Sequence, residues 1–541
     1  MRIFAILILI STWMQVYGLY NDTNISYQSS DKVKGIVFHD KTRTGSFDPA
    51  QDHPIEGIAV SNGREIAVSD QNGYYELPVR DNSIIFVIKP RNWMVPVDEN
   101  QMPRFYYIHS TTGASGTKFE GLSVTGPLPE LVNFPLYPVD EPDSYDVLVF
   151  GDTQPRNIQE VYYIARDVIP EVAGTHAAFG ITLGDNVFDN LDMYEPVIDG
   201  ISNIGIPWIY VVGNHDLDFS GPNNTDARGP WYRTFGPSYY SFSYGPAHFI
   251  VLDNIRIIYE GGRSYYRTGL GQDQMEFLRN DISRLDSDKL IVLLAHIPWT
   301  GSTAWEDESE QLAFYEIISR YSRSFSLVGH THRQYHHLIG QSHTYMHYDF
   351  EIDDENDFPG DQPHHMVSVG TVCGGWWAGA PDEYGIPHAM MSDGTPTSYT
   401  ILHIDGNDWK MSWKAARRPA EFQMHIHAPV AVNIDESADV TVTAVIFNAL
   451  PEAHVEMKIG TDGQWITMEK THRNDPVRDD VVKREREMGD LPWRNLGTSR
   501  PSEQLWEAKP DYKLQPGAHT IHVRARDDWW EYEGRQVIYV W

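Results

Sequence analysis

Five short apolar runs in this chain each end on an Asp, Asn, Gln or His, and four of them reach it through a glycine. Residues 147–150 lead into Gly151, Asp152, Thr153 and Gln154, and residues 177–183 into Gly184 and Asp185. Residues 208–212 lead into Gly213, Asn214, His215 and Asp216. Residues 290–294 lead into Ala295 and His296, and residues 325–328 into Gly329, His330, Thr331 and His332. Continuous apolar runs of this length read as buried strands. A carboxylate at the end of a buried strand needs a partner, because an unpaired buried charge is costly. The recurrence predicts polar side chains gathered at the carboxyl ends of neighbouring strands.

Helical patterns alternate with these strands. Residues 159–172 form one candidate helix. Residues 272–285 form a second, with Met275, Leu278, Ile282 and Leu285 on one face. Residues 310–322 form a third, with Leu312, Tyr315, Ile318 and Tyr321 in similar spacing. Such faces are core packing. The alternation predicts an α/β domain over residues 145–415, with ligands at the carboxyl ends of its strands.

At 541 residues the chain is long enough for two to four domains. Ahead of the α/β region, strand-like runs at 34–38, 55–60, 65–68 and 84–88 are punctuated by Asn62-Gly63 and Asn72-Gly73 turns. They predict an all-β module over residues 31–140, whose loop-rich latter part (91–143) reads as a connector. Behind it, alternation over 430–447 and strand-like runs at 453–459, 519–523 and 537–540 predict a C-terminal β-sandwich over 424–541. The charged run 469–488 reads as a solvated helix or loop.

A net charge of −33 argues against duplex nucleic acid as a partner. An anionic ligand would need a local positive centre in so acidic a protein. Met1 and Arg2 followed by the apolar run 3–10 have the form of a secretory signal over residues 1–18, with an N-terminal anchor as the rival reading. No other segment approaches the roughly 18 apolar residues of a membrane span. Cys373 is the single cysteine, which excludes a disulfide framework and a thiolate metal cluster. The expectation is an exported protein, periplasmic or at the cell surface or beyond it. Asn21, Asn24 and Asn223 stand in glycosylation sequons.

In this order, Asp152-x-Gln154, Gly184-Asp185, Gly213-Asn214-His215-Asp216, His296 and Gly329-His330-x-His332 closely resemble the signature of calcineurin-like metallophosphoesterases. The resemblance implies a central αββα sandwich flanked by two all-β domains and a pair of divalent cations. One cation would take Asp152, Gln154, Asp185 and His332, and the second Asp185, Asn214, His296 and His330. Two cations a few ångströms apart repel each other, and a shared carboxylate such as Asp185 is the simplest way to hold them. Imidazole and oxygen donors without thiolate suit Mn, Fe, Zn or similar ions. By resemblance, both metals bind phosphate oxygens and activate a bridging water, and His215 is the general acid for the leaving group.

This chain departs from the pattern at two places. The carboxylate expected three residues after Asp185 is Phe188, so Asp189 becomes the candidate to orient His215, with Asp216 as the alternative. Gln154 stands where the family more often has His. Its neutral oxygen shifts preference toward harder ions, with Mn favoured and Fe, Zn and Mg as alternatives.

Gly374, Gly375, Trp376 and Trp377 offer aromatic surface to a ligand or a hydrophobic cap beneath the C-terminal domain. A multidomain bacterial branch of the family carries a similar series here, and that likeness favours the pocket. Its implied substrate-binding residues are Asn214, His215, Trp376 and Trp377. The first β module resembles transthyretin-like regulatory modules. Asp253, at another strand end, reads as a structural partner, and His336, His337, His343, His364 and His365 receive no role. The resulting expectation is hydrolysis of a small-molecule phosphate mono- or diester by a metal-bridging hydroxide. The alternative is a non-catalytic envelope glycan-binding protein with structural metals. Oligomeric state is not readable from the sequence.

Overall fold

The computed structural model describes residues 31–301, 303–341, 345–347, 350–352, 358–510 and 512–541. The signal segment 1–18, the Asn21 and Asn24 sequons and His343 lie outside the described residues. Two sheets face each other at the centre. In the first, Ser144–Phe150, Phe179–Leu183 and Trp208–Val211 run parallel, and the hairpin Ser398–Asp405/Asp408–Ala415 closes the far side antiparallel. In the second, Ala247–Val251, Leu290–Leu294, Ser324–Val328 and His364–Ser368 run parallel, with Tyr240–Tyr244 and Tyr335–Ile339 antiparallel at its edges.

The alternation within each strand explains the layers, since successive side chains face opposite sides of a sheet. Val147, Val149, Ile181, Val292 and Leu294 fill the space between the sheets. Leu148 and Phe150 point the other way, onto a helix layer carrying Val161, Ile164, Val197 and Ile201. Ile291 and Leu293 do the same on the opposite side, against Leu278, Ile282, Phe314 and Ile318. The result is a helix–sheet–sheet–helix sandwich. Strands covered on both faces show no polar alternation, which is why they stand out as continuous apolar runs.

The helices begin where the sequence supplies a cap. Asn157 accepts from Gln159 N and Glu160 N at the start of Ile158–Asp167, and Asp307 caps Glu308–Ile318 through Ser309 N. Gln272–Ile282 is the third expected helix. A fourth, Tyr194–Ser202, lies in a stretch the sequence reading left unassigned.

The N-terminal module is a β-sandwich, and its connector needs correction. Within 91–143, Tyr106–His109 pairs with Ser83–Val87, and Phe134–Pro138 runs parallel to Lys32–His39. Both strands complete the module through partners tens of residues away, which local pattern does not reveal. Lys89, held by Glu141 Oε1 at 2.6 Å and by the Ser243 carbonyl, ties it to the central sandwich. Phe86 on Phe277 and Phe105 on Tyr240 make the two cores continuous.

The C-terminal region is a second β-sandwich around Val442, Met457, Trp506, Ile521 and Ile538. The charged run divides into a strand, Glu469–Asn474, and a helix, Pro476–Met488. That helix is not simply solvated, because Arg478, Val482 and Glu485 are buried against the rest of the protein. Its inward face is largely charged, so no apolar stripe announces it. His336 and His365, whose ring nitrogens lie 3.0 Å apart, pack beside Asn448 and Trp529 of this domain and serve the domain contact.

Candidate metal centre

All five strand ends open onto one place, and Gly184, Gly213 and Gly329 stand before three of them because residues of the site occupy the room a Cβ would need. A Cβ on Gly213 would lie 2.2 Å from Asp185 Oδ1, and one on Gly329 would lie 2.5 Å from Asp152 Oδ1. Backbone strain collects here too. Of thirteen non-glycine residues with positive φ among the described residues, six belong to this site: Gln154, Asp185, Asp189, His330, His332 and Trp376. Such conformations cost of order 1–3 kcal/mol each and persist only where the surrounding structure holds them.

The seven expected ligands form two linked groups. In one, His296 Nε2 lies 3.3 Å from Asp185 Oδ2, 3.2 Å from Asn214 Oδ1 and 3.2 Å from His330 Nδ1. In the other, His332 Nε2 lies 3.3 Å from Asp152 Oδ2. Gln154 Nε2 donates to Asp185 Oδ2 at 2.8 Å, and Cys373 Sγ lies 3.7 Å from both Gln154 Oε1 and His332 Nδ1, which links Asp185 to this second group as well. Gln154 thus turns its amide nitrogen, not its oxygen, to the carboxylate. Binding a cation through Gln154 requires a half-turn of that amide.

Ring tautomers decide what these contacts are. His296 Nδ1 meets the Leu183 carbonyl at 2.8 Å and His332 Nδ1 meets the Gly374 carbonyl at 2.6 Å. A carbonyl only accepts, so both Nδ1 atoms carry hydrogen and both neutral rings present a lone pair at Nε2. The acceptor oxygens of Asp185 and Asn214 therefore face a further acceptor at His296 Nε2. Asp152 Oδ2 is buried without a hydrogen-bond partner among the described residues. A buried acceptor left unmatched is expensive, and a cation or a proton in each group removes the conflict. Imidazole and oxygen donors so arranged fit divalent metals.

The titration behaviour says the same. Burial opposes a charge on His296, but Asp185 and Asp152 outweigh it and push the imidazole up to about 9. Burial also opposes charge on His332, where Cys373 and Asp152 prevail and raise it. Burial and the neighbouring His296 push His330 down to about 3. Burial works against ionised Asp185, yet His296 and His215 hold it well below the usual carboxylate range. Each group thus attracts positive charge, and metal and proton compete for it.

Beside the ligands, His215 Nδ1 lies 2.7 Å from Asp189 Oδ1, and the His215 backbone N–H donates to Asp185 Oδ1 at 2.8 Å. Asp189 reaches the ring through a left-handed backbone, φ 55°, one residue later than the family pattern. Burial lowers His215, but Asp185 first and Asp189 next outweigh it, so the ring holds its proton more tightly than usual. The alternative, Asp216, is occupied elsewhere. It accepts from Gly213 N, Asn186 N, Asn186 Nδ2 and Val187 N, and so pins the loop. Phe188 stacks on His215 with ring centres 4.2 Å apart.

The two tryptophans part company. Trp376 is partly exposed and stacks on His332 at 4.1 Å. Trp377, expected at a substrate pocket, is instead 3% exposed, packs against Tyr163 and donates Nε1–H to the Thr153 carbonyl. It belongs to the core and is closed to a ligand. Asp253 is a structural partner, bound through both oxygens by Arg228. Arg156, whose guanidinium lies 4.2 Å over Phe188, and Cys373 adjoin the site without having been singled out. A lone arginine two residues past Gln154 was the signal available for the first.

Oxygen and imidazole donors from the ends of two facing sheets, gathered where positive charge is demanded, are the centre of a metallohydrolase. Three family models match the chain. "N terminal of Calcineurin-like phosphoesterase" covers residues 41–123, "Calcineurin-like phosphoesterase" residues 145–334 and "C terminal of Calcineurin-like phosphoesterase" residues 367–532. The chain belongs to the calcineurin-like phosphoesterase family and is a metal-dependent phosphoric ester hydrolase. The third match begins inside the second central sheet, and its hairpin 398–415 pairs with Ser144–Phe150 of the first. A solved structure of vacuolar protein sorting 29 from Cryptosporidium parvum aligns with 50% of this chain and 98% of its own, at 12% identity and a TM-score of 0.19. Among the described residues, no helix is long and apolar enough to cross a membrane.

Proposed function

We propose that the protein is an exported phosphoesterase that holds two divalent cations and hydrolyses small-molecule phosphate mono- or diesters. Asp152, Gln154, Asp185 and His332 would hold one cation, and Asp185, Asn214, His296 and His330 the other. When bound, the pair polarises phosphoryl oxygens and makes a water nucleophilic at neutral pH. Asp185 is the shared ligand, and its contacts to both groups, through Gln154 and through His296, are the observation that carries the reading.

The chain's own groups supply the rest. Asp189 holds His215 Nδ1, so the proton for the departing oxygen resides on Nε2. Asp185 receives the His215 backbone N–H, which fixes the general acid relative to the ligand cluster. Phe188 against one face of the ring limits its rotation. The basic start and apolar run of residues 1–10 support export.

The test is to strip the purified protein with a chelator and refill it, then assay p-nitrophenyl phosphate, bis-p-nitrophenyl phosphate and inorganic pyrophosphate, with Asp185→Ala as control. Two metal equivalents per chain at full turnover are expected, and full turnover with one equivalent would refute the shared-carboxylate arrangement. Fractionation of expressing cells tests export. A full-length chain confined to the cytosol would overturn that part alone.

A further inference from the structure

Two arginines from different domains meet at the rim of this centre. Arg156 Nη1 donates to the Trp376 carbonyl at 3.1 Å, and Arg494 Nη1 donates to the same oxygen at 3.4 Å. Trp376 in turn covers His332 with its ring. Arg156 follows the strand end that carries Asp152 and Gln154. Arg494 comes from the C-terminal domain, on the loop after the helix Pro476–Met488.

Folding alone does not account for the pair. Glu160 neutralises Arg156 at 3.2 Å, but Arg156 Nη2 is buried and has no hydrogen-bond partner among the described residues. The one hydrogen bond of the Arg494 side chain among the described residues is that to the Trp376 carbonyl. Burial and then Arg156 both disfavour the charge on Arg494, so the two cations strain against each other. Even so, the Arg494 loop is firmly placed. Gly379 N donates to the Arg494 carbonyl at 2.7 Å, and Glu485 Oε2 accepts from Leu496 N at 2.8 Å. Two guanidinium groups held together with the single carboxylate of Glu160 acting on both, one with an unmatched donor, match the forked oxygens of a phosphoryl or carboxylate group.

We propose that Arg156 and Arg494 form a subsite for a second anionic group of the substrate, so that the C-terminal domain takes part in substrate choice. This rests on the two-cation reading above. The scissile phosphate already meets its positive charge at the ligand cluster, and the arginine pair is a separate positive centre next to it. Preferred substrates therefore carry a further phosphoryl or carboxylate group close to the bond that is cleaved.

The experiment titrates Mn-loaded protein calorimetrically with methylphosphonate, phosphonoacetate and methylenediphosphonate, in wild type, Arg494→Ala and Arg494→Lys. Wild type should bind at least one two-anion ligand tenfold or more tightly than methylphosphonate, and the better of the two names the group as phosphoryl or carboxylate. Arg494→Ala should cut that preference to threefold or less, with partial recovery in Arg494→Lys. Equal losses for all three ligands would put the arginines on the scissile phosphate and overturn the subsite, as would no loss at all. Metal-dependent binding of methylphosphonate without any two-anion preference overturns the subsite and leaves the two-cation reading standing. No metal-dependent binding of methylphosphonate overturns both.

Discussion

A single methyl group at Gly213 tests whether the glycines before the ligands are there to make room for them. Gly213 has φ −112° and ψ 172°, a conformation any residue adopts, so alanine brings no backbone penalty of its own. Its Cβ, however, would lie 2.0 Å from Asp185 N, 2.2 Å from Asp185 Oδ1 and 2.8 Å from Asp185 Cα. Ordinary carbon contacts begin above 3 Å, so Asp185 or the loop after Trp208–Val211 must move by about 1 Å. Overpacking of this kind costs about 1–3 kcal/mol of stability. A displacement near 1 Å at Asp185, the proposed shared ligand, should cost ~100-fold in kcat. Gly200→Ala is the control, since it lies in the helix Tyr194–Ser202 and its added Cβ meets nothing within 4 Å. It should be neutral or up to about 1 kcal/mol stabilising. The assays are kcat on p-nitrophenyl phosphate, metal equivalents per chain and thermal unfolding. Gly213→Ala with kcat within about twofold of wild type and a full metal complement would refute the steric reasoning.

Three further outcomes are expected. Asp189→Asn removes the carboxylate that holds His215 Nδ1, so kcat for an ester with a poor leaving group should fall by about 10²-fold and the alkaline limb of its pH profile should move down. An upward or absent shift of that limb in the rate profile would count against Asp189. Refilling the stripped protein should give more turnover with Mn than with Zn, because Gln154 replaces a softer imidazole donor; Zn restoring more would reverse this. Burial raises buried Asp167 to about 6 even with Arg417 beside it. The folded state thus binds that proton more tightly than the unfolded chain does, and stability is lost as pH rises from about 4 to about 6. Asp167→Asn should escape up to about 3 kcal/mol of that loss. The stability difference from wild type, measured by thermal unfolding at pH 4 and pH 7, should therefore move in the variant's favour, and an unchanged difference would refute the assignment.

The centre was legible in sequence because its ligands follow strands buried on both faces. Doubly covered strands are uninterrupted apolar runs, and close approach of the site demands glycine at Gly184, Gly213 and Gly329, so run, glycine and ligand are all local signals. The faces of Gln272–Ile282 and Glu308–Ile318 were local for the same reason. Other features were not. Asp189 and Asp216 are both near the ligands in sequence, and only the left-handed turn at Asp189 and the four donors converging on Asp216 separate their roles.

Trp376 and Trp377 are chemically identical neighbours, yet one covers His332 and the other fills the core beneath Ile158–Asp167. The strands within 91–143 pair with distant partners, and Pro476–Met488 buries Arg478 and Glu485 where an apolar stripe would be looked for. Arg494 reaches Arg156 across more than half the chain. By itself, then, the sequence determined the layered α/β core and the set of polar side chains that the strand ends bring together. Which carboxylate serves His215, which tryptophan faces outward and which arginines share a rim were decided by the tertiary structure. A residue's neighbours along the chain set its periodicity and backbone preference, whereas the direction of a side chain at a sharp turn is set by whatever distant surface packs against it.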